Sequence, residues 1–386
     1  MKLAQYGDYL YLYILILSFI PAVILGLRQK NIKFYGIVVS ILMVGIIVGT
    51  GSINIILFIM FLVGELILIY GYLVIRRKTD NKYIYYLALF LSILPIIITK
   101  VSSMTSFGPI GFIGLSYLNF KAIQMIIEIY DGAIKEIKFS TLIYFIIFFP
   151  TLSSGPIDRY RRFEEDLSKI IPRNEYVNEY LYTGIRKIII GLGYKFVIAY
   201  IINTLWMSKI PTDITFLNGL NYMYAYSLYL FFDFAGYSSF AVGTSYIIGI
   251  KTPDNFNKPF LSKDMKEFWT RWHISLSKWF GDYLYSRILL NSMRKKLFKD
   301  RFRASHFAQM ITMLTMGVWH GLEVFYIIYG IYQGSVLVLT DIVQRKSKFY
   351  KKHKKEKWFQ RVQILINFHV ACFGLLLFSG YLFTHK

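Results

Sequence analysis

Eight apolar runs of roughly membrane-spanning length recur along the chain, at residues 9–27, 34–50, 53–75, 83–98, 107–130, 188–207, 218–250 and 362–383. A hydrocarbon core of about 30 Å takes roughly 20 helical residues to cross, and inside it every backbone amide must be satisfied by protein. The pattern predicts an all-α polytopic integral membrane protein of about ten or eleven transmembrane helices, forming one membrane domain over residues 1–386. The first run follows Lys2 and Asp8 and has no small-residue cleavage site after it, so it is read as a retained span and not as a removable signal.

The charge balance excludes the main soluble alternative. A formal net charge of +22 comes from 44 Lys plus Arg against 22 Asp plus Glu, on a chain only 17% charged and 55% apolar. Nucleic-acid binders reach such a charge with a far more polar composition. The single cysteine, Cys372, excludes a disulfide framework and a cysteine-based zinc site, and reads as a small hydrophobe within an apolar run.

The basic residues also orient the chain. Arg28, Lys30 and Lys33 follow the first run, and Arg76, Arg77, Lys78 and Lys82 follow the third, which places both loops in the cytoplasm and the N-terminus outside. Residues 287–303 hold seven basic residues and one acidic, and residues 345–361 hold nine and one; together they carry 14 of the 22 net charges. With both stretches cytoplasmic, the segment between them enters the membrane and returns. Its legs, 307–320 and 322–343, would be about 20 Å and about 32 Å long, so the break at His320-Gly321 falls deep in the bilayer. Non-helical backbone at that depth must pack against protein or line a wet cavity.

Polar residues inside apolar surroundings are the candidate site. His320 stands in Met316-Gly-Val-Trp-His320-Gly321-Leu-Glu323. An imidazole there can take a proton from a hydroxyl, the general-base step of acyl transfer; it can equally serve only as a hydrogen-bonding contact between helices. Its place beside a glycine at a turn favours chemistry. His273 lies in an amphipathic stretch that sets Trp269, Trp272, Leu276, Trp279, Phe280 and Tyr283 on one face, as in a helix lying at the interface with tryptophans at headgroup depth. At the edge of that face His273 could turn toward a cavity, or merely belong to an interfacial helix. Asp233 interrupts an apolar run and needs a partner in the bundle interior; Tyr237 lies one turn away on the same face, and a structural role is the reading adopted. Lys121, Gln124 and Glu128 recur at helical spacing as a stripe suited to an internal hydrogen-bond network, and Glu65 stands isolated without a reading. Gly155-Pro156 ends a helix ahead of Arg159, Arg161 and Arg162, so the short run before it is a candidate re-entrant segment. The sequence has no phosphate-cradling glycine loop, no zinc-ligand spacing and no serine nucleophile elbow.

Four strings in this order carry a resemblance: Gly155-Pro-Ile-Asp-Arg-Tyr160, Asp233-Phe-Ala-Gly-Tyr237-Ser, Phe268-Trp-Thr-Arg-Trp272-His273-Ile-Ser275-Leu, and Met316-Gly-Val-Trp319-His320-Gly321. The set, spanning about 150–334 with a C-terminal span at 362–383, resembles the membrane-bound O-acyltransferase superfamily, and within it the branch that D-alanylates teichoic acids in Gram-positive bacteria. The N-terminal third matches no motif. The resemblance implies a ring of helices around a central tunnel or funnel, in the plasma membrane of a Gram-positive bacterium, with His320 and His273 catalytic and Trp319, Gly321, Asp233, Tyr237, Trp272 and Ser275 supporting them. It implies no bound cofactor. The donor would be D-alanine held as a thioester on the phosphopantetheine arm of a small, acidic, cytoplasmic carrier protein. The acceptor would be teichoic acid, with other membrane proteins of the same pathway taking part. The basic, partly apolar stretch with Tyr283, Leu284, Arg287, Ile288, Leu289, Arg294, Lys295 and Lys296 would suit docking of that carrier; it would also suit anionic lipid headgroups. Two further readings stay open: acetyl transfer to an exopolysaccharide by a sister branch, and, in a different class, a transporter of a lipid-linked or small anionic substrate. The lack of an internal repeat at half length speaks against the transporter.

Overall fold

The computed structural model describes residues 3–49, 52–106, 108–211, 213 and 215–383. Thr50 and Phe107, which bound two of the expected apolar runs, lie outside them. Every regular element among the described residues is helical. Six helical segments are long and apolar enough to cross a membrane: Tyr9–Leu27, Ile53–Lys78, Lys82–Ser102, Arg173–Lys209, Val324–Lys346 and Lys357–Phe378. Lys33–Val48 and Phe139–Thr151 are apolar but shorter.

Six is fewer than the ten or eleven expected, and the reason is burial. Leu115–Tyr130 has 16 residues, nearly all buried, and includes Asn119, Lys121, Gln124 and Glu128. Phe216–Ile247 and Arg301–His320 are long enough, at 32 and 20 residues, but carry many polar side chains. A helix surrounded by other helices can carry polar groups that a lipid-facing one cannot. The lipid-facing kind is evident in Leu17, Met60, Ile67 and Leu87, all more than half exposed. In water such contiguous apolar surface would drive aggregation.

The chain divides into two compact units, Met1–Leu192 with Gly236–Pro253, and Gly193–Ala235 with Asp254–Lys386. Within the first, the polar stripe forms the expected network: Lys121 Nζ donates to the Phe145 carbonyl at 3.0 Å, Gln124 Nε2 to the Asp158 carbonyl at 3.0 Å, and Arg161 Nε to Glu128 Oε2 at 3.1 Å. Glu65 is not isolated. Its carboxylate accepts from Ser92 Oγ at 2.9 Å and Asn119 Nδ2 at 3.2 Å, which satisfies a buried carboxyl between helices. Near the N-terminus, Gln5 Nε2 donates to the Phe149 carbonyl at 2.6 Å, while Gln5 Oε1 accepts from Ser153 Oγ at 3.0 Å and Tyr237 Oη at 2.6 Å.

The second unit is organised around a helical hairpin. Arg301–His320 starts at Asp300, whose Oδ1 accepts from the amides of Phe302 and Arg303, both at 2.9 Å. It returns as Val324–Lys346 after only three residues. The two helices meet through glycines: a Cβ on Gly330 would stand 2.7 Å from the Met313 carbonyl oxygen and 3.3 Å from Gly317 Cα. Small residues at such a crossing let two backbones touch. Lys357–Phe378 packs beside the hairpin, with Cys372 fully buried in an apolar cluster with Met223, Leu376 and Tyr381.

Candidate active site

His320 is the last residue of its helix, and Gly321 turns the chain in an extended conformation. The glycine is required by space: a side chain there would run into the Tyr326 ring and the Glu323 carboxylate. The imidazole is packed edge-on against Phe378 at 4.8 Å between centroids, with the Trp319 ring at 4.5 Å and Tyr326 at 6.0 Å.

The stretch around His273 departs from the expected continuous helix. Met265–Trp269 and Ile274–Phe280 are separate short helices, and His273 joins them in the left-handed region at φ 43° and ψ 52°. A non-glycine residue there costs about 1–3 kcal/mol, and its surroundings must hold it in place. Asn255 supplies the hold. Its carbonyl accepts from the Ile274 amide at 2.9 Å, and its Oδ1 accepts from the Ser275 amide at 3.1 Å and the Ser275 hydroxyl at 2.6 Å. The Asn257 amide donates to the Arg271 carbonyl at 2.9 Å, lacing the same turn from its other side.

The aromatic face is also not a headgroup anchor. Trp269, Trp272, Leu276, Trp279, Phe280 and Tyr283 are all buried, Trp272 between Phe256 and Phe268 with centroids at 5.2 and 5.5 Å. The face covers protein because the break at His273 lets the two short helices wrap inward. His273 is only 4% exposed, edge-on to Phe234 at 4.8 Å. Burial pushes its pKa down to about 3, against a smaller opposing contribution from a hydrogen bond with its own backbone, so the ring is neutral at physiological pH.

His273 and His320 line one cavity of about 130 Å³, walled by Leu230, Phe234, Trp272, Tyr329 and Phe378 among others. A second cavity of about 410 Å³ lies beside it, lined by Ile274, Phe280, Met313 and Leu337 with Lys266, Ser277 and Gln309. Trp269 and Met316 line both and form the partition between them. Two neutral-capable imidazoles in an aromatic, water-poor pocket can accept and return a proton, and a hydroxyl nucleophile needs that service.

The other sequence candidates are distributed differently. Trp272 lines the histidine cavity, Trp319 backs His320, and Ser275 belongs to the Asn255 clamp. Asp233 finds its partner in Lys195, whose Nζ lies 2.5 Å from Oδ1. Tyr237, expected to work with Asp233, instead joins the Gln5 and Ser153 network, since one helical turn does not force two side chains into the same partnership. Among the docking candidates, Tyr283 and Leu289 are corrected to packing residues: Tyr283 lies against Trp279 at 5.2 Å, and Leu289 clusters with Ala304 and Ala308. Leu284, Arg287 and Ile288 are half-buried, while Arg294, Lys295 and Lys296 are exposed. The exposed apolar residues beside them are Leu290, Met293 and Leu297.

Sequence reasoning missed Asn255, Lys195 and the double role of Trp269. The only available signal was an asparagine in the turn-rich string Thr252-Pro-Asp-Asn255-Phe-Asn-Lys-Pro259, a residue type that bonds nearby backbone.

Comparison with known proteins bears on this site. The chain is 43% identical to the teichoic acid D-alanyltransferase of Bacillus subtilis, over 99% of this chain and 100% of that protein. It is 39% identical to the teichoic acid D-alanyltransferase of Streptococcus thermophilus, over 100% of this chain and 98% of the relative. A probable alginate O-acetylase of Pseudomonas aeruginosa is 33% identical, over 61% of this chain and 45% of its own length. The family model for membrane-bound O-acyltransferases matches residues 82–381, which takes in both histidine segments and the hairpin. With a buried histidine pair on one cavity inside that matched region, the chain belongs to the membrane-bound O-acyltransferase family.

Proposed function

We propose that this acyltransferase moves D-alanine from a thioester on the phosphopantetheine arm of an acidic cytoplasmic carrier protein to teichoic acid, with His320 as general base. The observation that carries the proposal is the shared cavity of His273 and His320, in a chain that matches two teichoic acid D-alanyltransferases over nearly its full length. A thioester is already activated, so the protein has to supply a base, a donor for the developing oxyanion, and shielding from water. The acceptor hydroxyl oxygen attacks the carbonyl carbon and gives its proton to the imidazole. The carbon–sulfur bond then breaks, and the leaving thiolate takes that proton back.

Size agrees with a small acyl group. A cavity of about 150 Å³ accommodates benzene, and about 130 Å³ beside the histidines suits an alanyl group of about five heavy atoms, whereas a fatty acyl chain would not fit. The larger, mostly apolar cavity suits the slender donor arm. Exposed Arg294, Lys295 and Lys296, with Leu290 and Met293, are the surface offered to the carrier, and the remaining basic residues meet anionic lipid. Other membrane proteins of the pathway would complete delivery to the acceptor.

In this reading the N-terminus is extracellular, in the plasma membrane of a Gram-positive cell. Because Cys372 is buried and is the single cysteine, cysteines introduced as Gly7→Cys and Lys30→Cys report the two sides through a membrane-impermeant thiol reagent. Labelling of Lys30→Cys in intact cells would reverse the orientation. The main test is His320→Ala: loss of D-alanine ester from the envelope is expected, and wild-type ester content with the variant normally inserted would refute the proposal. Labelled acetate in place of D-alanine in an envelope polysaccharide would favour the exopolysaccharide reading suggested by the alginate relatives.

A further inference from the structure

The partition between the two cavities has an unusual chemical feature. Trp269 is only 7% exposed, yet its indole Nε1–H finds no acceptor among the described residues. A buried donor left without a partner costs about 1–3 kcal/mol, and native interiors satisfy nearly all of them. Packing alone does not explain the choice of tryptophan, since phenylalanine would fill much of the space without a donor to satisfy. The same wall contains Met316, which has no strong donor or acceptor, so the indole N–H is the one strong hydrogen-bond donor that the partition's side chains present. On the larger cavity, Gln309 Oε1 is likewise a buried acceptor with no donor among the described residues.

We infer that Trp269 is a catalytic residue whose Nε1–H binds the acyl carbonyl oxygen of the donor as the acyl group passes from the larger cavity to the histidines. The inference rests on the acyl-transfer reading above and adds the oxyanion donor to it. When the acceptor hydroxyl attacks the carbonyl carbon, the carbonyl π pair moves onto the oxygen and the indole N–H holds the resulting charge. His320 holds the hydroxyl proton meanwhile. As the carbonyl re-forms, the carbon–sulfur bond breaks and the thiolate takes the proton from the imidazolium, leaving ester and thiol. The backbone of His320 does not serve as the donor in this scheme, because its amide lies inside the Arg301–His320 helix. Gln309 Oε1, on the donor side of the partition, is placed to accept from an amide N–H of the arm while Trp269 engages the carbonyl.

The test replaces Trp269 in the full-length chain, reconstituted in vesicles containing anionic lipid and teichoic acid, with radiolabelled D-alanyl carrier as donor. Two variants are used: Trp269→Phe, and Trp269 replaced by 3-benzothienylalanine, which keeps the bicyclic shape and removes only the N–H. One lost oxyanion donor lowers turnover by roughly 100-fold, and the KM for loaded carrier is expected to stay nearly constant. The thermal midpoint should equal or exceed that of the wild type, because the removed N–H satisfies nothing within the protein. A packing residue would behave in the opposite way, losing stability along with activity, and would overturn the inference. Wild-type turnover in the benzothienyl variant would overturn it too. The wild-type chain in the same assay tests the function reading separately; if it transfers acetyl from a carrier thioester and not D-alanine, the same comparison is read on acetyl, and transfer of neither overturns both.

Discussion

Replacing Gly330 by alanine tests how tightly the hairpin sets the position of His320. The new Cβ would stand 2.7 Å from the Met313 carbonyl oxygen, 3.1 Å from Leu314 Cα and 3.3 Å from Gly317 Cα. All three are backbone atoms of the facing helix, so no side-chain rotation relieves the contact. Ordinary contact begins at 3.4 Å, and reaching it from the carbonyl oxygen requires the helices to part by about 0.7 Å. Overpacking of this kind costs about 1–3 kcal/mol. The displaced helix ends in His320, and its partner carries Tyr329 into the same cavity. A misplacement near 1 Å at reacting groups lowers rates by up to about 100-fold, so a loss of roughly 10- to 100-fold in D-alanyl transfer is expected, with a lower thermal midpoint in detergent. Gly45→Ala is the control: its Cβ meets nothing within 4 Å, and helix propensity alone should stabilise by about 0.5–1 kcal/mol. Wild-type rate and midpoint in Gly330→Ala would show that the glycine crossing does not position the histidine.

Reversing charge at Arg294, Lys295 and Lys296 should weaken carrier binding much more at low salt than at high, since exposed charges are screened over about 8–10 Å at physiological ionic strength; binding indifferent to both mutation and salt, measured by flotation with vesicles, would remove this surface from the dock. His273 offers a pH test. Its pKa falls from 6.5 to about 3 on folding because of burial. The folded value is the lower one, so the stability of the neutral form is fully present above about pH 6.5 and is lost as pH falls toward 3. Between pH 7 and pH 5 the thermal midpoint should therefore drop more in the wild type than in His273→Gln, and equal slopes would mean that the ring is not held neutral by burial.

Much of the candidate site was legible because membrane insertion makes polar residues conspicuous. His320 stood out beside a glycine in an apolar segment, and the structure places it at the turn of a hairpin whose ends, Asp300 and Lys346, lie at the basic stretches. The span count was less legible. Hydropathy cannot separate a helix facing lipid from one enclosed by other helices, and Leu115–Tyr130 shows the enclosed kind, with a buried lysine, glutamine and glutamate satisfied by neighbouring backbone and arginine.

What the sequence by itself determined is local or compositional: helices throughout, an apolar exterior, and the residue types able to do acyl chemistry. Helical periodicity and bilayer length suffice for those conclusions. Tertiary structure decided the rest. The amphipathic stretch around His273 had a helical period from end to end, yet Asn255, 18 residues earlier, draws it into a left-handed turn through three hydrogen bonds. That turn buries the tryptophans in protein, brings His273 to the cavity of His320, and sets Trp269 in the wall beside them. A periodic pattern records which residues share a face; only the partners that meet that face determine whether it covers lipid or closes a site.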